Sequence, residues 1–565
     1  MDKRLLSLGL SLCLWATATA QETFLPGGSD EYHLLERLET RSGALSDELF
    51  LSTQPVSRKD AVGFLKEEKP ASYDGSASAI DVYNINRALS ISGEWDGPNG
   101  DGAADSRYSL WNTIYRKQPD FINVNRDGFF LVANPVLSFQ AGFDRDKPRK
   151  FVYSSTQGVE LRGRIKDWVG FYFYITNNYD EPPTYVRDWI EKWGAIPGAG
   201  HFTRSGNGYQ YLQIRGYVNV PLIRDHVSLS LGYDKHFIGD GLRSLFLSDF
   251  SEGAAFARIN TRIWKLNYQN LYLMLKPQSL TGEPATTGHK YATAHYLSLN
   301  VTRWLNIGLF ETVTFTRSDH FEFGYLNPII FYRAIERGMG SPDKVALGFN
   351  VKAIVLKHLS LYSQLLINEF TTKELFSGNG YWANKWGIQA GAKYFDAFTI
   401  SNLDLQGEVN IVRPYTYQHY ASLSGNSIAN ATNYNEPLAH PLGAGFAELI
   451  GNVYYQPLPR LSINARAMYY RQGIDTNGSN NGSNIFLDYN TRPANYGVKL
   501  INGPQADCML FSLNASYEFR PRLYIDIGGT YRRYKVENNL LPEQSSLFLT
   551  AGIRLNLAPK NYTQF

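Results

Sequence analysis

The chain has 565 residues, of which 14% are aromatic and 19% charged, with 38 tyrosines and 49 glycines. Its 55 basic and 52 acidic residues nearly cancel, to a formal +3, which argues against nucleic acid as a partner. The length exceeds one ordinary soluble core, yet no boundary marks familiar domains, and aromatic-rich, charge-poor usage fits either membrane-interface girdles or a sugar-binding surface.

Lys3 and Arg4 precede a short apolar run from Leu5 to Trp15, and Ala18-Thr19-Ala20 supplies an A-x-A cleavage site. Residues 1–20 therefore read as a signal peptide. Cys13 lies inside it without small residues just before, a poor lipoprotein signal, and its removal leaves Cys508 with no internal disulfide partner. No later stretch of about eighteen apolar residues occurs, which excludes spanning helices.

Residues 21–92 read as a small periplasmic helical unit. SDEYHLLERLE begins with Ser29 as a cap and sets Tyr32, Leu35 and Leu38 on one face. SRKDAVGFLKEE offers Ser57 and Asp60 as a capping box ahead of Ala61, Phe64 and Leu65, and a third helix is expected from Ala77 to Leu89. Residues 93–130 form a connector rich in Gly, Asp and Asn. Asp96, Asn99, Asp101 and Asp105 lack EF-hand spacing, so plain turns are expected and no metal or cofactor.

From residue 131 to 565 a period-two pattern recurs. Val159, Leu161 and Ile165 alternate with Glu160, Arg162 and Arg164; Leu212, Ile214 and Val218 alternate with Gln213, Arg215 and Tyr217. In NLDLQGEVNIV, Leu403, Leu405, Val409 and Ile411 oppose Asp404, Gln406, Glu408 and Asn410. Near the end, Met509 and Phe511 oppose Ser512, with Glu518 on the polar side, and Ile553 opposes Arg554. A greasy face backed by a charged face suits a closed barrel in lipid, and about eighteen such strands are expected. Short turns near Lys166, Asp225, Arg303, Lys357, Ala397, Pro459 and Pro521 alternate with long loops, roughly 178–207, 238–252, 277–290, 317–344, 371–384, 414–443, 472–505 and 535–545. Short periplasmic turns and long outer loops characterise outer-membrane barrels, and an even strand count puts both barrel ends in the periplasm. Phe565 ends the chain with an aromatic, as barrels handed to the outer-membrane insertion machinery commonly do.

No GxSxG, HExxH, P-loop or paired CxxC occurs, and no enzyme is expected. TYVRDWIEKW places Tyr185, Trp189 and Trp193 on one side of a short helix. Such rings stack on the apolar faces of sugars, and equally make the small core of a long loop. Tyr381, Trp382, Trp386, Tyr415, Tyr417, Tyr420 and Tyr434 populate other loops. The lumen-facing charges Glu160, Arg162, Arg164, Arg215, Asp404, Glu408, Glu518 and Arg554 have mixed signs, which favours ion pairs bracing the interior over a selectivity ring.

LNPIIFYRAIERGMGSPDKVALGFN (326–350), KWGIQAGAKYFDAFTISNLDLQGEVNIVRPYTYQHY (385–420) and NEPLAHPLGAGFAELI (435–450) resemble segments of Wzi-type capsule-assembly proteins, in the form found in Bacteroidota-like bacteria. YHLLERLE and QPVSRKDAVGFL resemble that family's N-terminal helices. The resemblance implies an eighteen-stranded outer-membrane barrel closed at one end by periplasmic helices. It also implies a lectin-like role toward capsular polysaccharide, although some relatives are linked to gliding motility. It carries over no binding residue; Asn327, Arg333, Arg413, Tyr415 and His440 join the candidates because they lie in these segments, each with a structural role as the alternative, which for Arg413 is a cross-strand ion pair with Asp404 or Glu408 in the lumen wall. The expected partners are outer-membrane lipid and surface or capsular polysaccharide, with other envelope proteins as further candidates. The competing expectations are a structural part of a gliding or secretion machine, and a porin-like channel.

Overall fold

The computed structural model describes residues 22–565 except 74–77, 97–101, 108–113, 127, 147–149, 167, 224, 280–288, 318–320, 330–342, 370, 376, 421–428, 477 and 561. The signal-peptide expectation and Arg333 lie outside the described residues.

Eighteen antiparallel strands close into a barrel: β1 (Phe129–Asp144), β2 (Phe151–Ile165), β3 (Val169–Asp180), β4 (Gly208–Ile223), β5 (Val227–Asp234), β6 (Ala254–Ile263), β7 (Leu266–Leu275), β8 (His289–Asn300) and β9 (Leu305–Arg317) form one half. The other half is β10 (Lys344–Val355), β11 (Leu359–Glu369), β12 (Lys385–Tyr394), β13 (Leu403–Val412), β14 (Phe446–Leu458), β15 (Leu461–Gly473), β16 (Gln505–Arg520), β17 (Leu523–Val536) and β18 (Gln544–Leu555). Closure pairs β18 with β1, from Phe548 opposite Asp144 to Leu555 opposite Leu137. The alternation decides which side faces out. Leu212, Ile214, Met509, Phe511 and Ile553 are exposed on the outer face, whereas Tyr217, Ser512, Glu518 and Arg554 are buried in the lumen. The exposed apolar band on the outer face is the surface that a closed barrel presents to a bilayer.

One rim carries short turns and the other long loops, as expected. The short rim bears exposed Trp168, Trp264, Trp304, Phe398 and Phe519, an aromatic girdle of the kind that marks a membrane interface. Trp264-Lys265 is a turn that the sequence did not announce, because Trp264 takes φ 54° without help from Gly, Asn or Pro. β1 ends and β2 begins at the long-loop rim, which adds a connection there.

At the short-turn rim the chain inserts three helices, α1 (Asp30–Ser42), α2 (Arg58–Tyr73) and α3 (Ala79–Ile91). α1 has Asp30 and Glu31 in its first turn, Arg41 in its last and Gly43 at φ 76° closing it, so charge and backbone both agree with its ends. Ser29 makes no side-chain cap bond, and Ser57 makes half the expected box: its Oγ accepts from Asp60 N at 3.3 Å, while the Asp60 carboxylate turns away to Arg262. The complete capping box is Ser78 with Asp81, starting α3 two residues later than expected. Tyr32, Leu35, Leu38, Ala61, Phe64 and Leu65 pack into one apolar core with Ile85 and Leu89.

This unit is tied into the barrel by charge: Glu36 to Lys393 at 2.7 Å, Glu39 to Lys352 at 2.6 Å, Asp60 to Arg262 at 2.6 Å and Glu518 to Arg87 at 2.9 Å. The loop between β5 and β6 dives into the lumen to meet it, pairing Phe237–Ile238 with Thr53–Gln54 and setting Asp240 on Ser52 at 2.9 Å. The tail after β18 also turns inward. Arg466 donates to Thr563 at 3.1 Å, Arg243 to the Gln564 carbonyl at 2.9 Å and Arg532 to the Phe565 carbonyl at 3.3 Å. Phe565 is therefore not the end of a lipid-facing strand; it is buried in the lumen between Trp189 and Phe250.

The segment after β9 leaves the rim too. Tyr268 and Tyr272, on the outer face of β7, donate to the carbonyls of Pro328 and Leu326 at 2.7 and 3.2 Å. Residues 321–329 thus lie down the outside of the wall, leaving Phe323 and Ile329 exposed and burying Tyr325 against Phe315.

Candidate functional site

The lumen charges are braced mostly against inserted elements and not against neighbouring strands. Asp404 accepts from Arg37 at 2.5 Å and meets His33 at 2.9 Å; Arg162 donates to Glu94 at 3.0 Å; Arg164 lies over the Trp95 ring. Glu408 accepts from Tyr362 at 2.8 Å and from the amides of Leu242 and Arg243 at 2.6 and 3.1 Å. Glu160 pairs with Arg522 at 3.3 Å, and Arg554, with Asp526 at 2.7 Å on the neighbouring strand, follows the cross-strand expectation. Arg215 has its nearest carboxylate, Asp234, at 4.0 Å.

The aromatic stripe of α4 (Thr184–Trp193) faces inward. Tyr185 is buried and donates to the Tyr562 carbonyl at 2.6 Å, Trp189 stacks on Phe565 with centroids 5.1 Å apart, and Trp193 tilts against Phe486 at 4.9 Å. The stripe is the core that seals this side of the mouth. His440 is also interior. Its Nδ1 accepts from Leu442 N at 3.2 Å, so Nε2 carries the proton and donates to Glu448 at 2.8 Å. Burial pushes its pKa down despite the Glu448 carboxylate, which keeps the imidazole neutral. Asn327 accepts from Ile329 N at 3.2 Å in the segment on the outer wall, far from the mouth.

The RPYTY stretch after β13 does build the rim. Tyr415 and Tyr417 take left-handed φ of 65° and 71°, held by hydrogen bonds from Tyr415 to the Asn480 carbonyl (2.9 Å) and from Tyr417 to the Leu245 carbonyl (2.8 Å). Arg413, five residues beyond Glu408 along the strand direction, reaches neither carboxylate suggested for it. It donates to the Tyr381 and Val498 carbonyls at 3.5 and 3.4 Å, and burial lowers its pKa. These residues buttress an aromatic ridge from three loops. Trp382 meets Tyr415 edge-on at 6.0 Å and Tyr489 at 4.9 Å, with the Arg492 guanidinium 3.7 Å above its ring. Tyr381 and Tyr496 stand 5.4 Å apart, and Tyr420 and Tyr489 5.7 Å apart. Tyr381, Tyr420 and Tyr489 are partly exposed and Tyr496 is 53% exposed. Arg492 is fixed by bonds to the Tyr489 carbonyl at 3.0 Å and Asn495 at 2.8 Å.

Sequence reasoning flagged Tyr381, Trp382, Tyr415 and Tyr420 in separate loops but missed Tyr489, Arg492 and Tyr496. Their loop carries no periodic pattern, and only the fold brings it beside the others. A ridge of partly exposed rings with a fixed guanidinium offers stacking faces and hydrogen bonds together, the chemistry that sugars call for. Among the described residues no group of three His, Cys, Asp or Glu is placed to hold a metal ion.

No family model matches the chain, and no curated protein matches it. Among solved structures the chain is similar to Wzi of Escherichia coli, an outer membrane protein involved in group 1 capsule assembly and a carbohydrate-binding β-barrel. The TM-score is 0.52 at 12% identity, covering 96% of this chain and 100% of that one. OprD of Pseudomonas aeruginosa aligns over 75% of this chain and 95% of its own, with a TM-score of 0.42 and 12% identity. The Wzi likeness, at that identity, concerns the fold: a closed barrel of the outer-membrane kind.

Proposed function

We propose that the protein sits in the outer membrane with its short turns and helical unit in the periplasm, and binds surface or capsular polysaccharide at the long-loop rim, taking part in capsule assembly or attachment without catalysis. One observation carries the reading: the ridge of Tyr381, Tyr420, Tyr489 and Tyr496 around Trp382 and Arg492, partly open at the mouth and rigidly backed. The fold shared with a carbohydrate-binding capsule protein supports it. The experiment is a capsular-polysaccharide pull-down with Tyr489→Ala, Tyr496→Ala and Arg492→Gln; unchanged retention by all three sinks the ridge as the site.

A porin-like channel needs an open lumen, and here helices, the β5–β6 loop and the tail occupy it. The reading as part of a gliding or secretion machine has one observation in its favour, the apolar Phe323, Leu326 and Ile329 exposed on the outer wall. Co-purification of a stoichiometric envelope protein that is lost in Phe323→Ser supports that reading.

A further inference from the structure

The wall is incomplete on one side. β5 reaches up only to Tyr233, opposite Gly216, before Asp234 passes to β6, whereas β4 continues upward to Gly208. The short strand Thr203–Ser205 pairs with residues 208–210, so residues 211–215 have no strand on that side. Leu212 and Ile214 flank the gap on the outer face, 53% and 43% exposed, which places it in the apolar band. A spanning wall does not leave backbone groups unpaired against lipid. The gap is a cleft open to solvent, lined by Phe202, Tyr211, Lys235, Lys276 and Glu252. Gln213 and Arg215 line it as well, and the same two residues line a second cleft inside the lumen, between the helical unit, the wall and the tail.

That inner chamber is basic. Arg58, Arg87, Arg215, Arg522 and Arg554 line it against Asp30, Glu31 and Glu160. Arg87 and Arg554 are neutralised by Glu518 and Asp526. The other three are less fully matched. Among the described residues Arg58 has no carboxylate within 4 Å, Arg215 reaches Asp234 only at 4.0 Å, and Arg522 holds Glu160 while its buried Nη1 has no partner. Burial, then Arg162, holds Arg58 below its ordinary pKa, a cost that a bound anion relieves. Tyr172, Tyr174 and Tyr524 line the same walls, with the Arg215 guanidinium over Tyr174 and that of Arg554 over Tyr524.

We propose that this chamber is a second carbohydrate site, taking a carboxylate- or phosphate-bearing sugar that enters through the gap between β4 and β6. The proposal rests on the polysaccharide reading for the ligand being a sugar, and on the arginines for its being an acidic one. The test titrates the full-length protein with trigalacturonic acid, with neutral maltotriose, and with lipid A carried in nanodiscs, the last arm separating a lipid-borne from a soluble source. Expected are binding of at least one acidic probe, about tenfold weaker binding of maltotriose, and weakening by salt. Arg215→Gln is expected to cost about tenfold, and Gln213→Glu, which adds a carboxylate without removing a brace, a similar loss. Tyr496→Ala leaves this binding unchanged. Equal binding of acidic and neutral probes, or full binding by both chamber variants, overturns the proposal. Retention of long polysaccharide through the ridge with no acidic probe bound overturns the chamber alone, whereas acidic-probe binding beside ridge variants that keep the polymer overturns the ridge alone.

Discussion

Arg37 of α1 donates to Asp404 of β13 across 2.5 Å, joining residues 367 positions apart in the chain. The same guanidinium reaches Asp81 at 2.9 Å and Asp396 at 2.5 Å, while Arg41 adds bonds to Asp81 and Asp396. Two arginines thus hold three carboxylates where the helical unit meets the β12–β13 turn. Removing Arg37 leaves buried carboxylates short of a partner, so Arg37→Ala is expected to destabilise the docked unit by about 3–5 kcal/mol. Amide hydrogen exchange over α1 measures it, and unchanged protection contradicts the assignment.

The same cluster sets a pH dependence. Burial alone raises the Asp81 carboxyl, but the Arg37 guanidinium and then Arg41 hold it below its ordinary value. A depressed carboxyl contributes stability that is complete above the unfolded value of about 3.9 and is lost as pH falls below it. Protection of α3, corrected for intrinsic exchange, should therefore hold from about pH 7 to 5 and fall away below about pH 4. Loss between pH 7 and 5 points instead to an imidazole as the group that matters.

Phe565 is stacked on Trp189 at 16° between ring planes and edged by Phe250. Phe565→Ala is expected to cost about 3–5 kcal/mol, as large-to-small changes in packed sites do, and to shift tryptophan fluorescence as α4 loosens. A variant whose fluorescence and thermal unfolding match the wild type contradicts the lumenal placement of the tail.

The filled lumen predicts that the intact protein shows no steady conductance in planar bilayers. Deleting both residues 22–92 and 556–565 removes two of the three plugs and should give conducting events, reduced in size by the loop that carries Asp240. Steady conductance in the intact protein contradicts the closed lumen.

The barrel was legible because each strand reports its own orientation: Asp404 and Glu408 alternate with Leu405 and Val409 whatever lies across the sheet. Loop lengths likewise sorted the two rims without any knowledge of contacts. What lies inside was not legible, since the partner of Asp404 is on a helix hundreds of residues away and nothing local distinguishes a lumenal loop from a surface one. The expectation for Asp404 stopped at facing inward, and the pairing suggested for Arg413 with Asp404 failed on distance: nine residues of strand span about 30 Å. The site divided in the same way. Tyr185, Trp189 and His440 turned inward because their side of the mouth is sealed by the tail, while Tyr415 and Arg413 ended beneath a ridge completed by Tyr489, Arg492 and Tyr496 from a loop without pattern.

The central claim is that the long-loop ridge holds polysaccharide. An equilibrium binding isotherm of purified capsular polysaccharide on the folded protein tests it most directly, comparing the wild type with a Tyr489→Ala, Tyr496→Ala double variant. Saturable binding that weakens at least about tenfold in the double variant, with barrel stability unchanged, is the predicted result. No binding by the wild type, or identical isotherms for the two proteins, contradicts it.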